Sequence, residues 1–213
     1  MYKVLLFDLD GTLTDSSEGI TKCVSRALAH FGMTDYSLEQ LRVFIGPPLK
    51  DSFHKFHIPD DQIEEAIALF RERYLTVGKF ENKPFPHVIE ALKKLKNEGY
   101  KLYVATSKPE ETAIEILKHF HMDHLFDRIC GASFDHSREN KADVIQYLLD
   151  HNETGDQPLM IGDTIYDIKG ASALGLPSIG VSWGFGESEE MKEAGALAIM
   201  YSMDDLYQFV TQE

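Results

Sequence analysis

The 213-residue chain reads as an α/β protein, a doubly wound parallel sheet that carries an inserted all-helical domain. Three observations predict this. An apolar run at 3–9 has the texture of a buried strand, residues 16–78 repeat with helical periodicity, and strand and helix patterns alternate after 87. One strand, then only helices, then regular alternation describes a sheet whose first strand is split from the rest by an insertion. The core is therefore expected at 1–14 and 82–213, and the helical cap-like insert at 15–81.

Each element has its own signal. Lys-Val-Leu-Leu-Phe-Asp-Leu, closed by Asp10-Gly11, is a short strand feeding a loop. Ile20, Val24, Leu28 and Phe31 recur at helical spacing, and Asp15 with Glu18 makes a capping-type start. Further helical patterns fall at 38–45, 49–57 and 61–77, and 80–86 is a polar, proline-bearing connector. Helix 87–98 ends at Gly99 and precedes strand 101–106. Helix 110–121 leads to strand 128–132, and helix 141–151 to strand 158–162. Helix 167–174 ends at Gly175 before strand 177–182. The connectors at 14–17 and 79–86 would act as two hinge strands that let the helical domain open and close.

Charge narrows the partners. Lys plus Arg total 21 against 35 Asp plus Glu, a formal net charge of −14. Binding to a nucleic-acid polymer needs a basic footprint, and an anionic membrane surface needs a polybasic one; neither is expected here. Long-range repulsion of anions also poses a puzzle for any phosphorylated substrate, because something local must reverse the field. Two widely separated cysteines, Cys23 and Cys130, fit reduced thiols and not a disulfide framework. The apolar start is too short for a signal-peptide core, so a soluble cytoplasmic protein is expected.

Open parallel sheets collect ligands at the carboxyl ends of their strands. The first strand delivers Asp8 and Asp10, whose spacing of two places them on one side of an extended segment. The second delivers Thr106, Ser107 and then Lys108. The fourth delivers Gly162-Asp163, with Asp167 four residues on. Two unit charges about 4 Å apart repel by roughly 4 kcal/mol at an effective dielectric of 20. A divalent cation with oxygen ligands relieves that repulsion, and Mg²⁺ suits few carboxylates. Taken singly, each piece fits a turn or a helix cap; together, at matching strand ends, they describe a site.

Asp8-Leu9-Asp10-Gly11-Thr12 resembles the first motif of the haloacid dehalogenase-like (HAD) superfamily, and Thr106 its second. Lys141 is the candidate for the third motif, and Gly162-Asp163-Thr164-Ile165-Tyr166-Asp167 is similar to the fourth. The resemblance spans almost the whole chain and implies a Rossmann-like core with a helical cap. It implies that Asp8 attacks phosphorus, that Asp10 protonates the leaving group and then activates water, and that Thr106 and Lys141 serve the transferring phosphoryl group. Gly11, Thr12 and Ser107 are implied as further phosphate contacts. Mg²⁺ is implied as cofactor, held by Asp8, Asp10 through its backbone carbonyl, Asp163 and Asp167. An acid at Asp10 fits an alkyl phosphate; dehalogenases lack one there.

The segment Phe44-Ile45-Gly46-Pro47-Pro48-Leu49-Lys50-Asp51-Ser52-Phe53 is similar to the cap loop of the phosphoglycolate phosphatase and 5'-nucleotidase-like members. Gly46 and Lys50, with Arg42 nearby, are candidate substrate contacts; the plain reading is a helix start with solvated charges. Lys141-Ala142 and Pro86-His87 depart from the phosphoglycolate phosphatase pattern, which has Lys-Pro and Pro-Gly there, and shift weight toward nucleotidases. The expected partner is a small phosphorylated metabolite or nucleotide. A phosphosugar mutase of the β-phosphoglucomutase type shares Asp8, Asp10 and the cap but normally differs at Gly-Pro-Pro. A non-catalytic module on the same fold conflicts with intact Asp8, Asp10, Lys141 and Asp163. The His119–His124 stretch matches no zinc spacing and reads as a helix end. The segment 180–186 reads either as a mobile flap carrying Trp183 or as a glycine-rich turn.

Overall fold

Val4-Leu5-Leu6-Phe7 offers no polar face, and all four residues of this strand, β1 (Val4–Phe7), are buried. A strand without a wet face must lie inside a sheet covered on both sides. The computed structural model describes residues 2–133, 137–151 and 157–212. After β1 come the two-residue strand β2 (Thr14–Asp15) and the helices α1 (Ser17–His30), α2 (Leu49–Lys55) and α3 (Ile63–Tyr74). A second two-residue strand, β3 (Lys83–Pro84), opens the alternating part: α4 (Val88–Asn97), β4 (Lys101–Pro109), α5 (Glu110–His119), β5 (Arg128–Ala132), α6 (Lys141–His151) and β6 (Leu159–Gly162). It closes with α7 (Ile165–Ser172), β7 (Ser178–Val181), α8 (Ser188–Glu193), β8 (Ile199–Met200) and α9 (Met203–Thr211). The chain divides into two compact units, one of Met1–Thr14 and Pro84–Glu213, the other of Asp15–Lys83.

The first unit is built on a six-stranded sheet of order β5-β4-β1-β6-β7-β8, parallel throughout. The chain runs outward from β1 through β4 to β5, then returns to β6 on the other side of β1. The reversal at β1 is the switch point where such sheets open a crevice at their carboxyl ends. The pleat of β1 sorts its residues between two cores. Leu5 and Phe7 join one with Leu92, Ile116, Leu117 and Leu206; Val4 and Leu6 join the other with Val144, Ile145, Leu148 and Ala171. Burying each of the Val, Leu, Ile and Phe side chains contributes roughly 1.5–3 kcal/mol.

Several features differ from the sequence expectation. The sheet gains a sixth strand, β8, and the helices α8 and α9; a two-residue strand carries no periodic signal. β4 continues past 106 to Pro109 through an irregularity: Ala105 pairs with Cys130, but Pro109 already pairs with Ala132. Four steps on β4 thus face two on β5, so extra residues bulge out between them. The expected helix at 38–45 is a 3-10 turn, Gln40–Phe44.

In the helical unit, α1 buries Ile20, Val24, Ala27 and Leu28, and α3 buries Ile63, Ala66, Ile67 and Phe70. Phe44 packs edge-on against Phe53 at 5.0 Å and lies 4.7 Å from Phe56. The start of α1 differs from the expected pairing of Asp15 with Glu18. Asp15 accepts from the Ser17 amide at 3.1 Å, whereas Glu18 turns to Lys22 at 2.6 Å. The two ends of the unit are tied by Glu81. Its carboxylate accepts from Arg73 at 2.6 and 2.9 Å and from Lys22 at 3.0 Å, and its carbonyl accepts from the Gly19 amide at 3.0 Å. Both free cysteines, Cys23 and Cys130, are buried. No helix among the described residues is long and apolar enough to cross a membrane.

The Arg73 fork, against some opposition from burial and with help from Lys22, pulls the Glu81 carboxyl from 4.5 down to about 2. A depressed acid contributes stability above its unfolded value and loses that contribution as pH falls toward the folded one. Glu81→Gln is therefore expected to lower the denaturation midpoint at neutral pH. The gap from wild type should shrink as pH falls from 4.5 toward 2, a trend that urea titrations at stepped pH will read.

Candidate active site

The polar residues at the carboxyl edge of the sheet converge on one lysine. Lys141 opens α6, and 4% of its side chain is exposed. Its Nζ lies 2.8 Å from Asp8 Oδ1 and 2.7 Å from Asp167 Oδ1, and it donates to the Ala105 carbonyl at 2.9 Å. Burial opposes the ammonium charge, but Asp167 and Asp8 outweigh it and hold the Lys141 pKa above its ordinary value. A cation at a helix N-terminus also runs against the helix dipole, at about 0.3–1 kcal/mol. The paired carboxylates offset both penalties.

Asp163 and Asp167 are fully buried. Asp167 sits in the first turn of α7, where Thr164 forms a capping box with it. Its Oδ2 accepts from the Thr164 amide and hydroxyl, each at 3.0 Å, while Oδ1 faces Lys141. Local helix chemistry therefore aims this carboxylate. Asp163 Oδ1 accepts from the Thr12 hydroxyl at 3.2 Å and Oδ2 from the Phe185 amide at 2.8 Å. Burial, with Asp167 and Asp8 beside it, holds the Asp163 carboxyl well above the usual carboxylate range despite those donors. Burial raises Asp167 too, with Lys141 pulling the other way.

The structure brings Asp8, Asp163, Asp167 and Lys141 together. One carboxylate oxygen from each of the three acids lies within 4.8 Å of the others. Asp10 adjoins them with a lysine of its own, Lys108, at 2.8 Å from its Oδ2. Counted as ionised and among the described residues, four carboxylates face two ammonium groups, an excess of two negative charges. All-oxygen donors, a net charge of minus two and a buried acid pushed upward fit a hard divalent cation.

Other candidates take different places. The amides of Gly11 and Thr12 are bonded inside their own turn, Gly11 to the Thr14 carbonyl at 2.8 Å and Thr12 to the Leu9 carbonyl at 3.4 Å. The hydroxyl of Thr12 serves Asp163, so these two residues shape the acid cluster and present no free amide to a phosphate. Thr106 is buried, and its Oγ1 accepts from the Lys108 amide at 3.2 Å; Ser107 is exposed. Gly46 and Lys50 lie in the helical unit, both exposed, Gly46 at φ +102° and Lys50 in α2. The segment 180–186 is anchored: Trp183 Nε1 donates to the Thr12 carbonyl at 3.0 Å and the Phe185 amide holds Asp163. Sequence spacing assigned no role to Thr164 or Phe185, and it offered Lys108 as a lysine suited to a phosphate, whereas the structure pairs it with Asp10. Thr164-x-x-Asp167 does carry a capping-box signal, and Lys108 lies two residues beyond Thr106 at a strand end.

The sequence model for haloacid dehalogenase-like hydrolases matches residues 5–181. A 5'-nucleotidase of Pseudomonas aeruginosa is 44% identical over 193 residues, 90% of this chain and 87% of that one. The tyrosine-protein kinase PtkA of Mycobacterium tuberculosis is 34% identical over 94% of this chain and 69% of its own, and a phosphoglycolate phosphatase of Aquifex aeolicus is 31% identical over 86% of each. The crystal structure of a predicted phosphatase from Clostridium acetobutylicum superposes with a TM-score of 0.93 over 100% of both chains, at 42% identity. The chain belongs to the haloacid dehalogenase-like hydrolase family. Within it, the chain is a phosphatase, a phosphoric monoester hydrolase.

Gly11 has φ +85°, and a Cβ there would lie 2.0 Å from Asp163 Oδ2. Gly11→Ala is expected to cost more than about 1 kcal/mol from the backbone alone. It should also displace Asp163, so a lowered melting temperature will accompany lost phosphatase activity.

Proposed function

We propose that the chain hydrolyses a nucleoside 5'-monophosphate through a phosphoenzyme on Asp8. The buried Asp8–Lys141 pair at 2.8 Å carries the catalytic half of this reading. The nucleotide half rests on the 44% identity to a protein named 5'-nucleotidase, against 31% to one named phosphoglycolate phosphatase, and on Lys141-Ala142 and Pro86-His87.

Lys141 aims the Asp8 carboxylate and meets the negative charge of the transferring phosphoryl group, where a fixed charge in a dry site is most effective. An Asp8 oxygen forms a bond to phosphorus as the ester P–O bond breaks. Asp10 gives its proton to the departing 5'-oxygen. It then takes a proton from the water that cleaves the Asp8–phosphorus linkage and releases inorganic phosphate. Asp10 suits this part because it stands two residues beyond Asp8, on the same side of the strand end. Thr106 supports the loop beside it. The carboxylates of Asp8, Asp163 and Asp167, with the Asp10 carbonyl, would hold Mg²⁺. Bound there, the ion supplies Lewis-acid stabilisation of phosphoryl charge.

Asp8→Asn is expected to cut phosphate release by at least about 10³-fold from any ester. Acid quenching of the wild type with ³²P-labelled substrate should trap radiolabel on the protein, and Asp8→Asn should trap none. EDTA should abolish turnover and Mg²⁺ restore it. In a panel of nucleoside 5'-monophosphates, phosphoglycolate, sugar phosphates and a tyrosyl peptide acceptor, the nucleotides should show the highest kcat/KM. Faster turnover of phosphoglycolate, or phosphate delivered to the peptide and not to water, would overturn the substrate assignment.

A further inference from the structure

We infer that Lys108 is a positioning residue for Asp10, holding one carboxylate oxygen so that the other is presented to the leaving group. The inference rests on the proton-transfer role proposed above for Asp10. Lys108 Nζ lies 2.8 Å from Asp10 Oδ2, with 6% of the lysine side chain and 18% of the aspartate side chain exposed. The opposite oxygen, Oδ1, is buried and accepts no hydrogen bond from the described residues. A carboxylate gripped on one oxygen cannot rotate freely, so the ion pair fixes where the other oxygen points. Burial matters here. An exposed lysine would be screened by salt and blurred by side-chain motion, and a buried one much less so.

The backbone around Lys108 is built for this placement. The register break between Ala105 and Pro109 lifts residues 106–108 out of the regular ladder, and a bulge re-aims side chains. The Thr106 hydroxyl accepts from the Lys108 amide at 3.2 Å, closing the bulge from within. On β5, Gly131 comes so near that a Cβ there would lie 2.4 Å from the Lys108 carbonyl. The Gly131 amide donates to Glu110 Oε2 at 3.2 Å, and Arg138 pairs with that same oxygen at 3.3 Å. The first two of these contacts fix the Lys108 backbone directly, and the Glu110 contacts hold the strand beside it.

A residue that acts by aiming a proton carrier has a signature that a structural residue lacks. Esters with poor leaving groups depend on proton delivery; esters with good ones do not. The test compares wild type, Lys108→Met, Lys108→Arg and Asp10→Asn on 4-nitrophenyl phosphate, phenyl phosphate and an alkyl phosphate such as a nucleoside 5'-monophosphate. Lys108→Met is expected to lower kcat about 10²-fold on the alkyl ester and less than tenfold on the 4-nitrophenyl ester, with KM little changed. Lys108→Arg should recover part of the alkyl rate. Adding Lys108→Met to Asp10→Asn should cost nothing more on the alkyl ester. An equal loss on all three esters, or a rise in KM with kcat retained, overturns the inference and marks Lys108 as a structural or substrate-contacting residue. No release from any ester by the wild type would instead sink the proposed function, so the two failures are distinguishable. Activity on the 4-nitrophenyl ester doubles as the check that Lys108→Met is folded.

Discussion

The buried ammonium of Lys141 is the interaction on which the core unit depends. It joins the end of β1 through Asp8, the edge of β4 through the Ala105 carbonyl and the first turn of α7 through Asp167. Desolvating an ammonium group costs several kcal/mol, and so does desolvating each carboxylate. Neither side would be tolerated alone. Three acids brought to one sheet edge would repel, and a lone lysine at the start of α6 would oppose the helix dipole. The arrangement is stable because each charge is the other's solvent, and it leaves the carboxylates short of positive charge by the amount a divalent cation supplies.

This arrangement also answers the question raised by a net charge of −14. At physiological salt the Debye length is about 8 Å, so the charges spread over the surface act weakly on an approaching anion. The positive groups that matter, Lys141 and Lys108, are buried beside the acids and are screened far less. The charges that act on an approaching anion are therefore the local ones at the strand ends, and the overall acidity counts for little.

Much of the fold was readable along the chain because burial writes local patterns. Val4-Leu5-Leu6-Phe7 is apolar throughout because both sheet faces are covered, and α1 shows its buried stripe at Ile20, Val24 and Leu28. The patterns fail where elements are too short to repeat. β8 has two residues, α8 has six, and Gln40–Phe44 tightens to a 3-10 turn that periodicity cannot separate from an α-helix. The acids of the site were readable for a similar reason. Asp8 and Asp10 share a strand end, and Asp163 and Asp167 flank a helix start, so each pair is placed by spacing alone. Lys141 lies far from both pairs, and only the resemblance to other members of the family pointed to it.

The sequence by itself determined which side chains stand at the carboxyl end of each strand, because strand pleat and helix caps are set by near neighbours. Only the tertiary structure decided who faces whom. The strand order puts β4 and β6 on either side of β1. A bulge turns Lys108 toward Asp10, and the loop after β7 brings the Phe185 amide onto Asp163. Charge–charge and hydrogen-bond energies fall off with distance in space, and those distances are fixed by sheet order and register, which separation along the chain does not encode.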